Sequence, residues 1–230
     1  MRMDVPRVLS INAGFMDAAA YLALKGLFTS HVTGNFVTLG AALVSGTSGA
    51  LAKLLALPVF CVVVIAIRLF SHRLRARSRP VTSTLLGAQL ALMTLGALLA
   101  TSFGPFNSAD GYAALATGMT LVAAMAIQNA VQRVHFARAP PTTIMTGTTT
   151  QIMIDLGDLL QGLTPDKAKA THERLRQMTF SALAFATGCA LGALLYAWFS
   201  VWCFWVPPIL VFVTLSMRSA LAEADAAAIQ

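Results

Sequence analysis

Apolar runs about 20 residues long recur along almost the whole of this 230-residue chain, each long enough to cross a hydrocarbon core roughly 30 Å thick. Six such spans need roughly 120 residues, which leaves short loops and no room for a soluble domain. Only 11% of the residues are charged, and the mean hydropathy is +0.73. A soluble domain carries about a quarter charged residues. Nucleic-acid binding, secreted disulfide scaffolds and soluble dinucleotide-binding enzymes are therefore poor fits. The chain reads as an all-α polytopic membrane protein, one membrane domain over residues 1–230, with the lipid bilayer as its surroundings.

Eight apolar stretches stand out, at 8–25, 26–46, 52–71, 81–101, 112–132, 142–160, 178–200 and 203–217. Two differ from the rest. The second holds His31-Val32-Thr33-Gly34-Asn35 in mid-segment, and the sixth holds Thr143 to Gln151 with Thr146-Gly147-Thr148. The distribution of positive charge separates crossing from non-crossing segments, because cytoplasmic loops are enriched in Lys and Arg. If all eight cross, the sixteen Lys and Arg divide evenly between the two sides. If 26–46 and 142–160 are re-entrant and the N-terminus is cytoplasmic, only Lys25 and Lys53 face out. The expected topology is six transmembrane helices plus two re-entrant half-helices, with both termini cytoplasmic.

That topology makes an inverted 3+3 repeat, 1–104 and 110–218, followed by a cytoplasmic tail over 219–230. Thr33-Gly34 and Thr146-Gly147 lie 113 residues apart, as a duplication predicts. Interrupted helices meeting at the interface of inverted repeats are a recurring transporter design. Non-helical backbone cannot face lipid, so the Thr-Gly clusters must be buried or line a wet cavity. Glycine is expected to supply the turn conformation, Thr or Asn to cap the helix that follows, and the helix N-terminus to attract an anionic or polar solute.

Asp17 falls roughly 15 Å along a helix from Arg7. A carboxylate at that depth is expected to be functional, as a proton relay or coupling-ion ligand; the alternative is a protonated acid bonded to Asn12, Tyr21 or a neighbouring helix. Gln128 and Asn129 stand at about the same distance before the second Thr-Gly pair. The candidate solute or ion pathway is thus Asp17, Thr33, Gly34, Asn35, Gln128, Asn129, Thr146, Gly147 and Thr148. Asp155 and Asp158 are expected to pair with Arg133, Arg138, Arg174 or Arg176 near the inner surface. Gly188 and Gly192 form a GxxxG, marking close helix packing or a homodimer contact. Pro58, Pro207 and Pro208 predict kinks. Cys61, Cys189 and Cys203 read as small apolar residues. The four histidines have no metal-ligand spacing, and no nucleophile, cofactor or metal motif is present, so an enzyme is not expected.

Gly14-Phe15-Met16-Asp17, His31 to Asn35, Gln128-Asn129-Ala130 and Thr142 to Thr148 together resemble the YoaK family of small bacterial membrane proteins. The resemblance covers nearly the whole chain and implies a bacterial inner-membrane location. It brings no catalytic or binding residue. The functional expectation is a transporter or channel for a small polar or anionic solute, proton-coupled through Asp17. The alternative is a non-transporting scaffold or assembly partner.

Overall fold

The computed structural model describes residues 4–137, 139–143 and 145–227. Every regular element among them is helical: α1 Val5–Ala23, α2 Gly34–Ser45, α3 Ala50–Ala76, α4 Val81–Phe103, α5 Tyr112–His135, α6 Met145–Gln161, α7 Pro165–Phe199, a 3-10 turn Ser200–Trp205, α8 Val206–Ser216 and α9 Arg218–Ala227. Four stretches are long and apolar enough to cross a membrane: α3, α4, α5 and the run Pro165–Ser216. The chain is thus an all-helical protein of membrane type.

The centre is built on α1 and α5. α1 is buried along nearly its whole length, which explains how a helix carrying Arg7, Asn12 and Asp17 sits among apolar neighbours. It packs most extensively on α7, while α5 packs on α3 and α4. α2 lies against α3, α6 lies against α7, and α1 also meets α8. Exposed apolar side chains, among them Val44, Val62, Leu183 and Phe212, cover the outside of the bundle. That is the inverse of a soluble surface.

The α1–α7 contact explains the GxxxG. A Cβ added at Gly188 would lie 2.1 Å from the Ile11 carbonyl oxygen, one at Gly192 2.6 Å from that of Phe15, and one at Gly14 2.1 Å from that of Phe185. The three glycines let two backbones touch within one chain. This face is consumed internally, so of the two expectations for Gly188 and Gly192, close packing and a homodimer contact, the structure shows the first.

Several boundaries differ from expectation. The stretch 26–46 is a non-helical loop followed by the 12-residue α2, roughly 18 Å long. The 17-residue α6 begins at Met145, so Thr146 and Gly147 lie in its first turn rather than before it. α7 starts at Pro165 and runs 35 residues. Pro207 and Pro208 stand at the start of α8, where a missing N–H costs nothing; they open a helix instead of kinking one. The tail is helical up to Ala227 and docks through buried Leu221 and Ala224. Asp225 reinforces it, accepting from the Thr82 backbone at 2.9 Å and lying 3.2 Å from His135. Residues 228–230, in the expected tail, lie outside the described residues.

Asp155 was expected in a surface ion pair. It is 0% exposed and pairs through both oxygens with Arg174, Nε at 2.8 Å and Nη2 at 2.6 Å. Gln151 donates to the same carboxylate at 2.7 Å. Removing the cation leaves the carboxylate with Gln151 as its remaining donor. The Arg174 side chain is 48% exposed, so solvent screens the pair, and Arg174→Met is expected to cost about 1 kcal/mol in thermal unfolding of the purified protein. The double variant Arg174→Met with Asp155→Leu should recover much of that loss. Equal melting of wild type and Arg174→Met would remove this tie between α6 and α7.

Candidate functional site

Asp17 is 4% exposed and stands six residues before the end of α1. The chain leaves the helix through two left-handed residues, Lys25 (φ 52°) and Gly26 (φ 91°), and folds back along it. This return brings residues 29–31 onto the carboxylate. Oδ1 accepts from the Thr29 N–H at 2.9 Å and the Ser30 N–H at 2.7 Å, and Oδ2 accepts from the Ser30 hydroxyl at 2.5 Å. Asn12 and Tyr21 are not its partners. Asn12 instead donates to Gln128.

The loop then closes on itself. Asn35 accepts from the Phe28 N–H at 2.8 Å and donates to the Phe28 carbonyl at 2.9 Å. The first helical N–H groups of α2 are also used: those of Gly34, Asn35 and Phe36 donate to His31, Val32 and Thr33. Thr33 is exposed and its side chain does not cap α2. The expected cap and bare helix N-terminus are replaced by a tight hydrogen-bonded turn. Gly34 takes no left-handed angle; a side chain there would press on the Phe28 and His31 rings at 3.0 and 3.2 Å.

In the second half an amide holds the loop that follows its helix, through one bond in place of three. Asn129 stands six residues before the end of α5, and its Oδ1 accepts from the Thr143 hydroxyl at 2.8 Å. Ser30 and Thr143 are separated by the same 113 residues as the two Thr-Gly pairs. Thr146 and Gly147 are exposed on α6 and Thr148 is buried on the same helix.

Gln128 belongs to a third place, the buried junction of α1, α4 and α5. Its Oε1 accepts from Asn12 at 2.7 Å and Gln89 at 2.9 Å, and its Nε2 donates to the Leu9 carbonyl at 2.8 Å. All three side chains are fully buried. Such interhelical bonds act as glue, worth about 0.6 kcal/mol each.

Two cavities follow from these arrangements. One, of about 700 Å³, is lined by Asp17, Tyr21, Phe28, His31 and Gly34 with Phe185 and Cys189 of α7. The other, of about 640 Å³, is lined by Asn129, Arg133, Thr142 and Thr143 with Phe60 of α3 and Arg174 of α7. Asp17 and Gly34 thus share one cavity, and Asn129 lines the other. Thr146 lines a separate groove on the outer face of α6.

Sequence reasoning missed Ser30, Thr29 and Gln89. Ser30 was within reach, since its spacing from Thr143 carries the 113-residue echo upstream of the glycines. Gln89 carries no such signal, because a lone amide in an apolar run does not say which helix it faces.

A family model described as "Protein of unknown function (DUF1275)" matches residues 5–217. No curated protein and no solved structure matches the chain.

Proposed function

The chain belongs to the DUF1275 family, which brings no activity with it, and from the geometry we propose that it is a membrane transporter for a small polar or anionic solute, proton-linked through Asp17. In this reading the chain forms six spans and two half-helices in an inverted repeat, in the bacterial inner membrane with both termini cytoplasmic.

The observation that carries the proposal is the pair of cavities. Each is bounded by the last turns of a central helix, a polar residue there, and the loop that this residue holds. Exchanging the halves maps α1 on α5, α2 on α6, α3 on α7 and α4 on α8. Three pairs of contacts follow that exchange: α1 with α7 against α5 with α3, α2 with α3 against α6 with α7, and α1 with α8 against α5 with α4. If the halves are inverted, the Asp17 cavity opens outward and the Asn129 cavity inward, as alternating access requires. The ionised Asp17 locks the outer loop by accepting three hydrogen bonds. A proton on that carboxylate weakens the lock and links opening to the proton gradient. Solute recognition lies in the cavities, because the N–H groups at the start of α2 are already used.

Purified protein in proteoliposomes is expected to take up a solute from a panel of organic anions and small polar compounds, with uptake driven by an acidic exterior. A folded protein that moves none of them overturns the proposal. The topology has its own check. In a chain with Cys61, Cys189 and Cys203 replaced by alanine, Ser48→Cys and Thr164→Cys are expected to react with an impermeant maleimide from opposite sides. Labelling from one side removes the inverted repeat.

One observation favours the scaffold reading: Asn35 and Gln128 spend their polar groups on internal bonds. That reading expects Asp17→Asn to leave every phenotype intact at equal abundance, whereas transport expects loss of gradient-driven uptake.

A further inference from the structure

We propose that Lys53 is a positioning residue for the loop over Asp17: its ammonium anchors the root of that loop, and the carboxylate latches the remainder. The inference rests on the transport reading for what the loop gates, and on the geometry alone for the anchor.

The loop has the build of a lid. Residues 28–35 form one lobe, tied by the Asn35 side chain to both polar backbone groups of Phe28. Phe28, His31 and Gly34 of that lobe line the Asp17 cavity. A lobe bonded within itself moves as a unit, and such a unit needs a fixed end. That end is the turn at Lys25 and Gly26. Leu24 and Leu27 bury it against α5, where a Cβ on Gly118 would lie 2.8 Å from Leu27 and 3.5 Å from Leu24. Apolar contact holds the turn in place but is non-directional.

Lys53 supplies the direction. From the first turn of α3 its Nζ donates to the Lys25 carbonyl at 2.8 Å. Glycine makes room for it on both sides. Gly26 (φ 91°) and Gly49 (φ 98°) both take left-handed angles. An added Cβ would lie 3.4 Å from Lys53 Cε at Gly26 and 2.9 Å from Nζ at Gly49. The balancing charge comes from the loop before α5, where Asp110 acts on Lys53. Asp110 also accepts from the Gly49 and Leu51 N–H groups at 2.6 and 3.0 Å, which fixes the turn on which Lys53 stands.

Lys53 is 4% exposed, and a buried ammonium is costly unless paired and hydrogen-bonded. The charge distribution also leaves it, with Lys25, on the side of the membrane where cations are scarce. A cation kept in that position, between two glycines and bonded to the root of the lid, has the lid to hold.

The test is hydrogen–deuterium exchange of the purified full-length protein, read by mass spectrometry at one pH on peptides covering 24–35, α5 and α7. Lys53→Met keeps the length and apolar stem of the side chain and removes the ammonium. Residues 24–31 hold the N–H groups of Gly26, Thr29 and Ser30, bonded to Tyr21 and Asp17. Their exchange is expected to quicken at least about tenfold, the equivalent of one charge-assisted hydrogen bond, with α5 and α7 unchanged. Asp110→Asn removes the balancing charge and should quicken the same stretch at least about threefold; it carries the test should Lys53→Met not fold. Exchange at 24–31 that stays at the wild-type rate overturns the proposal. So does an increase spread evenly over all helices, which makes Lys53 a general stabiliser. Local loosening in a protein that transports nothing removes transport alone; uptake by a protein whose variants keep a rigid loop removes the anchor alone.

Discussion

Leucine at Gly188 is expected to keep the protein from reaching a folded state at all. The added Cβ would lie 2.1 Å from the Ile11 carbonyl oxygen and 2.9 Å from the Phe15 nitrogen. Both are backbone atoms of α1, so no side chain can rotate away, and the two helices must part. Their contact is the most extensive in the bundle. Tight packing of small residues is what holds membrane helices together, since lipid tails are as apolar as leucine. Losing it should exceed about 4 kcal/mol, the range reserved for a few severe mechanisms. Size-exclusion profiles of a fluorescent fusion should show aggregate in place of the wild-type peak. Gly157→Ala is the control: nothing lies within 4 Å of its added Cβ, and alanine favours a helix over glycine by up to about 1 kcal/mol. A Gly188→Leu protein that elutes and melts normally would disprove the α1–α7 contact.

Asp17→Ala should be the second severe change, for a different reason. It leaves the N–H groups of Thr29 and Ser30 and the Ser30 hydroxyl buried without their acceptor. Each abandoned buried group costs roughly 1–3 kcal/mol, so about 4 kcal/mol in total is expected. Asp17→Asn should behave otherwise. One amide oxygen can keep both backbone donors, and the Ser30 oxygen can accept from the new NH₂. Its melting should stay within about 1 kcal/mol of wild type. It cannot release a proton, so uptake should lose its dependence on the pH gradient while the fold persists. An Asp17→Asn protein that still responds fully to the gradient rules out coupling through this carboxylate.

The membrane class and most helices were legible in the sequence because run length and charge distribution report directly on the bilayer. The paired polar clusters were legible too, through their common spacing. Helix partners were not. In water, an apolar face points to the core; here Leu183 faces outward and Leu121 inward, and their side chains are alike. The same ambiguity hid α1, whose burial comes from small residues at Gly14 and Ala13 and not from strong hydrophobicity. Asp155 looked like a surface acid because its position near a helix end says nothing about the 35-residue helix beside it. Glycine at 34 was readable as a special position but not for its reason, which is the closeness of two rings.

That long helix has one more implication. Arg174 and Met178 of α7 wall one cavity, and Phe185 and Cys189 wall the other, all on a single uninterrupted rod roughly 50 Å long. The glycine contact with α1 is centred on Gly188, beside the Asp17 cavity. The two walls lie on one helix, so a substitution that displaces α7 along its length alters both cavities. The two compartments therefore share one wall.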